Sequence, residues 1–168
     1  VSARLGLALA LAVTWAAAGC RIEERTDRPR GQTQAVPPRR QVVGSTAGET
    51  PPLASPAVRS GDLVLLSGVV GSERGAGPPR LVEGGAAEEA RRALDRIGEV
   101  LASAGGSLAD VVSCTVFLAD LQDSAALDSA WAARFPSEPP ARTVVAVSAL
   151  PLGARVQLEC VAAWRAAR

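Results

Sequence analysis

The sequence predicts an α+β domain over residues 51 to 168, a mixed sheet carrying two helices on one face. Short runs of β-branched and aliphatic residues recur between Gly- and Pro-rich turns, as strands do. Two segments instead repeat their apolar residues at helical spacing. Both lie between strand-like runs, and the resulting order is β-β-α-β-α-β-β.

Gly61-Asp62-Leu63-Val64-Leu65-Leu66-Ser67-Gly68 reads as a buried strand after a turn at Ser60-Gly61, with Ala57-Val58-Arg59 as its hairpin partner. Residues 71 to 85 are dense in Gly and Pro and read as a loop. From Ala86 the period changes: Ala90, Leu94, Ile97 and Leu101 form one stripe. Glu88, Glu89, Arg92, Asp95, Arg96 and Glu99 fall largely outside it. Ala104-Gly105-Gly106 ends this helix, one of the glycines supplying a left-handed cap. Val111 to Leu118 is the next strand. Ser124 to Phe135 follows as the second helix, with Leu127, Trp131 and Phe135 on one face. After a loop from Pro136 to Pro140, Thr143 to Val147 and Ala154 to Ala163 are the last strands, joined across Ala149-Leu150-Pro151-Leu152-Gly153. A sheet covered on one side leaves an apolar face, and association of chains is the natural way to bury it.

Ahead of the domain, Val1-Ser2-Ala3-Arg4, an uncharged apolar run from Leu5 to Ala18 and Gly19-Cys20 have the form of an export signal too short to span a bilayer. Ala17-Ala18-Gly19-Cys20 is similar to a bacterial lipobox, with Ala17 where Leu is usual. Cys20 is therefore the expected lipidation site, and the chain is expected to be an exported, membrane-anchored lipoprotein on the periplasmic or cell-surface side; an ordinary signal peptide whose cut happens to precede a Cys, or a core helix, is the alternative. Residues 21 to 50, rich in Arg, Pro, Gly, Thr and Gln without periodicity, read as a disordered linker.

Composition excludes whole classes of chemistry. There is no His, Lys, Tyr, Met or Asn, so a Ser-His-Asp triad, a Cys-His dyad, a lysine Schiff base, a P-loop lysine and a histidine metal site are all ruled out. From residue 51 onward eleven Arg face thirteen acids, and the aromatic residues there are Trp131, Trp164, Phe117 and Phe135, which argues against a nucleic-acid partner.

Three motifs, together with the element order, resemble the Rid (YjgF-type reactive intermediate deaminase) family. Pro140-Ala141-Arg142-Thr143, then Ala149-Leu150-Pro151, then Val156-Gln157-Leu158-Glu159 match its signature in residue type and spacing. Ser67-Gly68 and the run from Asp110-Val111-Val112 into Thr115-Val116-Phe117-Leu118-Ala119-Asp120 agree with it. The resemblance spans residues 51 to 168. It implies a chorismate-mutase-like homotrimer with helices outside, sheets around a central axis and clefts between subunits. It also implies hydrolysis of reactive 2-imino or enamine acids to 2-keto acids and ammonia without a cofactor. The alternative is a membrane-tethered module of the same fold that binds small carboxylates, or serves structurally, without turnover.

On that resemblance the chemical centre is Arg142 with Glu159. Arg142, at a loop-strand junction after Pro139-Pro140, offers a fork for a substrate carboxylate, or else a structural ion pair. Glu159 lies among Leu158, Val161 and Ala162, where burial raises a carboxyl pKa and suits it to proton transfer, or where it pairs with an Arg across the trimer. Ser67 is the candidate hydrogen-bond donor to substrate or water. Val144 and Leu53 stand where the family often has Cys and Tyr, and Val69 where it commonly has Gln. Asp128 stands where many members have Asn; it would repel an acidic ligand or pair with Arg142. By strand alternation Cys114 shares a face with Val112 and Val116, and Cys160 with Leu158 and Ala162. A disulfide between them is open to an exported protein, with buried free thiols as the alternative.

Overall fold

The pairing of strands positions Ser67, Arg142, Val144 and Glu159. A computed structural model describes residues 40–44, 53–73 and 78–164. The expected leader, the lipidation site at Cys20 and most of the expected linker lie outside the described residues. Those described belong to the unit Val36–Arg168. Its elements are β1 (Gln41–Val43), β2 (Ala57–Ser60), β3 (Leu63–Leu66), β4 (Val69–Val70), β5 (Ser72–Glu73), β6 (Arg80–Leu81), α1 (Gly85–Ser103), β7 (Val111–Leu118), α2 (Ser124–Arg134), β8 (Ala141–Ala146) and β9 (Val156–Ala163).

The main sheet runs β1-β2-β3-β9-β7-β8, with β4 also pairing to β9. Only β7 and β8 are parallel, as a crossover through α2 requires; the other pairs are antiparallel. The fold is thus the expected mixed α+β sheet with two helices. Three details differ from expectation. Gln41–Val43, inside the expected linker, adds an edge strand because Val42 and Val43 meet Val58 and Ala57 in register. The expected loop from 71 to 85 contains the small β5–β6 pair. In β7 a bulge between Val111 and Ser113 breaks the alternation, so Val112 is 46% exposed and does not share the buried face of Cys114.

The helical stripe is borne out: Ala90, Leu94, Ile97 and Leu101 are all buried. The helix ends in a Schellman arrangement, in which Gly106 N–H donates to Leu101 O, Gly105 N–H donates to Ala102 O, and Gly105 takes φ 82°. Glu89, expected outside the stripe, is 4% exposed. Its carboxylate accepts the backbone N–H groups of Arg155 at 2.7 Å and Val156 at 3.3 Å, at the point where β9 begins. These charge-assisted bonds offset its desolvation and fasten α1 to the sheet. Gly71 lets the chain ahead of β5 pass close against α1, since any Cβ there would collide with the Glu89 backbone.

Cys114 and Cys160 are directly paired across β7 and β9 and are joined in a buried disulfide. Glu89→Ala should cost about 2–3 kcal/mol in urea unfolding, because two buried N–H groups lose their acceptor. The disulfide closes a separation of 46 residues. Replacing both cysteines with Ala should cost about 4 kcal/mol by loop entropy. Alkylation of the unfolded, unreduced protein should leave both cysteines unmodified.

Candidate active site

Register decides which side chains can meet. Cys114 is level with both Cys160 and Arg142, so Arg142 projects from the helix-covered face of the sheet. Thr115 is level with both Glu159 and Thr143, which places Glu159 on the opposite, open face. Within one chain the two proposed catalytic residues therefore point away from each other. Glu159 is also exposed rather than buried. Its apolar neighbours Leu158, Cys160 and Ala162 turn under the helices, and period-two alternation sends the carboxylate outward.

Arg142 sits on β8, at the edge of the sheet, beneath α2. Its Nη2 donates to Asp128 Oδ1 at 2.6 Å, and its guanidinium carbon lies 5.1 Å from the centre of the Trp131 ring. Leu127 and Trp131 anchor α2 in the core, and Trp131 packs on Phe135 with ring centres 4.7 Å apart, which fixes the helix that carries Asp128. The expected pairing of Asp128 with Arg142 is therefore present. With side chains 26% and 58% exposed, such a pair contributes on the order of 1 kcal/mol or less, so a ligand carboxylate can compete for the guanidinium. Val144, two residues along β8 on the same face, is half-buried against the core.

Ser67 lies elsewhere in the chain. It follows β3, three strand spacings or about 14 Å across the sheet from β8. Its hydroxyl donates to Ser55 O at 2.7 Å and its N–H to Pro56 O at 3.0 Å, tying down the segment before β2. Leu65 is level with Val161 and Val69 with Leu158, so the chain through Ser67-Gly68 holds one residue more than β9 opposite it. That irregularity sets Ser67 and Gly68 beside the Glu159 stretch of β9. A Cβ at Gly68 would meet the Gln157 amide, so any side chain there would have to displace that amide. Ser67, Gly68 and Val69 help to line a cleft of about 330 Å³ that also touches Ser55 and Arg96. Leu53, just before it, is 95% exposed.

The profile of the Endoribonuclease L-PSP family matches residues 50–164. The chain belongs to this family, the Rid (YjgF) proteins. Among its relatives, 2-iminobutanoate/2-iminopropanoate deaminase from Capra hircus is 42% identical over 108 residues, 64% of this chain and 77% of that protein. The Homo sapiens protein of the same description is 41% identical over the same shares. In structure, RidA from an Antarctic Psychrobacter matches with a TM-score of 0.64 at 36% identity, over 73% of this chain and 98% of that one.

In this Rid chain the candidate residues fall into two groups. One is Arg142 with Asp128 and Trp131; the other is Glu159 in a row with Thr115 and Thr143, with Gln157 on the same face and Ser67-Gly68 on the neighbouring stretch of chain. Sequence reasoning treated Trp131 only as a core residue, and quoted Thr115, Thr143 and Gln157 within the family motifs without giving them a site role. Strand periodicity carries the signal for Gln157, two residues from Glu159 on the same face; the threonines emerge only once register is known. Asp128→Ala should speed phenylglyoxal modification of Arg142 several-fold in peptide mapping. An unchanged rate would show that the ion pair does not shield the guanidinium.

Proposed function

We propose that the domain hydrolyses 2-imino acids to 2-keto acids and ammonia in a cleft between chains, with Arg142 of one chain and Glu159 of a neighbour facing one substrate. The observation that carries this reading is the Arg142 fork, held at a sheet edge by a weak ion pair that a carboxylate can replace. The descriptions of the goat and human relatives support the reaction class.

Arg142 would hold the substrate carboxylate through two N–H donors. Water adds to the iminium carbon while Glu159 takes its proton, giving a neutral carbinolamine. The protonated Glu159 passes that proton to nitrogen. It then accepts the hydroxyl proton as the C–N bond breaks, leaving the 2-keto acid and ammonia. Glu159 finally gives its proton to the ammonia, leaving as ammonium. An iminium carbon is already electrophilic, so positioning and one proton carrier suffice.

We propose that the chains associate as a homotrimer, and the open face supports their association. Val42, Val58, Leu65 and Val161 form one cross-strand row there, with Val42 51% and Leu65 46% exposed, and burying such a row drives association. We also propose that the domain works outside the cytoplasm, tethered by a lipidated Cys20. Its support is the signal-like sequence of residues 1 to 20 and the Cys114–Cys160 disulfide, a bond that persists in oxidising compartments. The existing Asp128–Arg142 pair favours a second reading, a binding module without turnover.

Purified protein should accelerate ammonia release from 2-iminopropanoate generated in situ. Arg142→Ala should lower that rate at least about tenfold, the loss of roughly 1.4 kcal/mol of transition-state binding. No acceleration, together with carboxylate-dependent thermal stabilisation, would select the binding module. Leu65→Asp, placing a charge in the apolar row, should yield a folded monomer by light scattering that lacks activity.

A further inference from the structure

We propose that Asp128 is a specificity-determining residue that makes the Arg142 site select zwitterionic 2-iminium acids over the 2-keto acids they become. This rests on the reading of Arg142 as a carboxylate anchor and extends it to the ligand's second charge. Asp128 holds Arg142 at 2.6 Å yet its side chain stays 58% exposed, so the carboxylate has surface left to meet a ligand. Trp131 lies against the guanidinium at 5.1 Å. A ligand approaching the exposed side thus meets a positive fork and a negative carboxylate next to each other. A simple carboxylate finds half of this arrangement favourable and half repulsive.

A 2-iminium acid carries the matching pair. Its carboxylate on C1 and its cationic nitrogen on C2 are separated by a single carbon–carbon bond, the same close spacing of opposite charges that Arg142 and Asp128 present. Each ligand charge then faces its complement, and the iminium N–H groups donate to Asp128. After hydrolysis a carbonyl oxygen stands where the nitrogen was, with no proton to donate and a partial negative charge turned toward Asp128. Substrate is held and product is repelled by the same residue. An uncharged amide at position 128 would lose this distinction, while the Arg142 clamp would remain.

Ligand-observed NMR titrations on the full chain test this with 2-aminobutanoate, a stable zwitterion, and 2-oxobutanoate. The expected result is at least about tenfold tighter binding of the amino acid, equivalent to about 1.4 kcal/mol. Asp128→Asn and Asp128→Ala should both reduce that preference about tenfold, tightening 2-oxobutanoate while weakening 2-aminobutanoate. Arg142→Ala should weaken both ligands. An unchanged preference in both Asp128 variants, with Arg142→Ala still weakening binding, would overturn the role of Asp128 and leave the carboxylate anchor standing. If Arg142→Ala weakens neither ligand, the anchor itself is wrong and the inference falls with it.

Discussion

Strand β9 is hydrogen-bonded along both edges, to β3 and β4 on one side and to β7 on the other, so its alternation governs what the neighbouring strands present. Val156, Leu158, Cys160 and Ala162 turn inward and are almost completely buried. Gln157, Glu159 and Val161 must then turn outward. Because a one-residue slip would exchange these sets, anything that locks the register of β9 also locks the site. The disulfide pins β9 to β7 at Cys160, and the Glu89 carboxylate holds the first backbone N–H groups of β9 beneath α1. Both devices act on the helix-covered face and leave the side chains of the open face unused by either.

This constraint accounts for the separation of the two groups of candidate residues. Arg142 shares its row with the disulfide, and Glu159 lies one row away on the other side of the sheet. A sheet is about one side chain thick on each face, so no rotamer change brings these groups to one small ligand within a chain. In the proposed assembly the apolar row through Leu65 and the paired-charge edge at Arg142 are thus complementary: the first favours contact between chains, and the second would use it to complete a site.

Most of the fold was legible in the sequence because its signals are local. The stripe Ala90-Leu94-Ile97-Leu101, the glycine cap after Ala104, and the anchoring of α2 by Leu127 and Trp131 depend only on near neighbours along the chain. What escaped the sequence depended on partners far along it. Gln41–Val43 has too few residues to show a period and becomes a strand only because β2 offers an edge. The Val111/Ser113 bulge is invisible without β9 opposite. Glu89 looks like a surface acid until the start of β9 arrives beneath it. At the site, alternation already set Cys160 opposite Glu159, but the placement of Arg142 beside Cys114, and hence away from Glu159, follows only from the β7–β8 and β7–β9 registers together. The carboxylates at 89 and 159 thus reverse the burial their sequence neighbourhoods suggest, for the same reason of long-range pairing.

Subunit complementation tests the central claim, a site completed between chains, most directly. Arg142→Ala and Glu159→Gln proteins, each inactive alone, would be unfolded together, refolded as a mixture and assayed for ammonia release from 2-iminopropanoate. If the site joins Arg142 of one chain to Glu159 of the next, random assembly restores about a quarter of the sites, and activity reappears in the mixture but in neither parent. If both groups serve a substrate from the same chain, every site retains one defect. A mixture no more active than its parents would contradict the account.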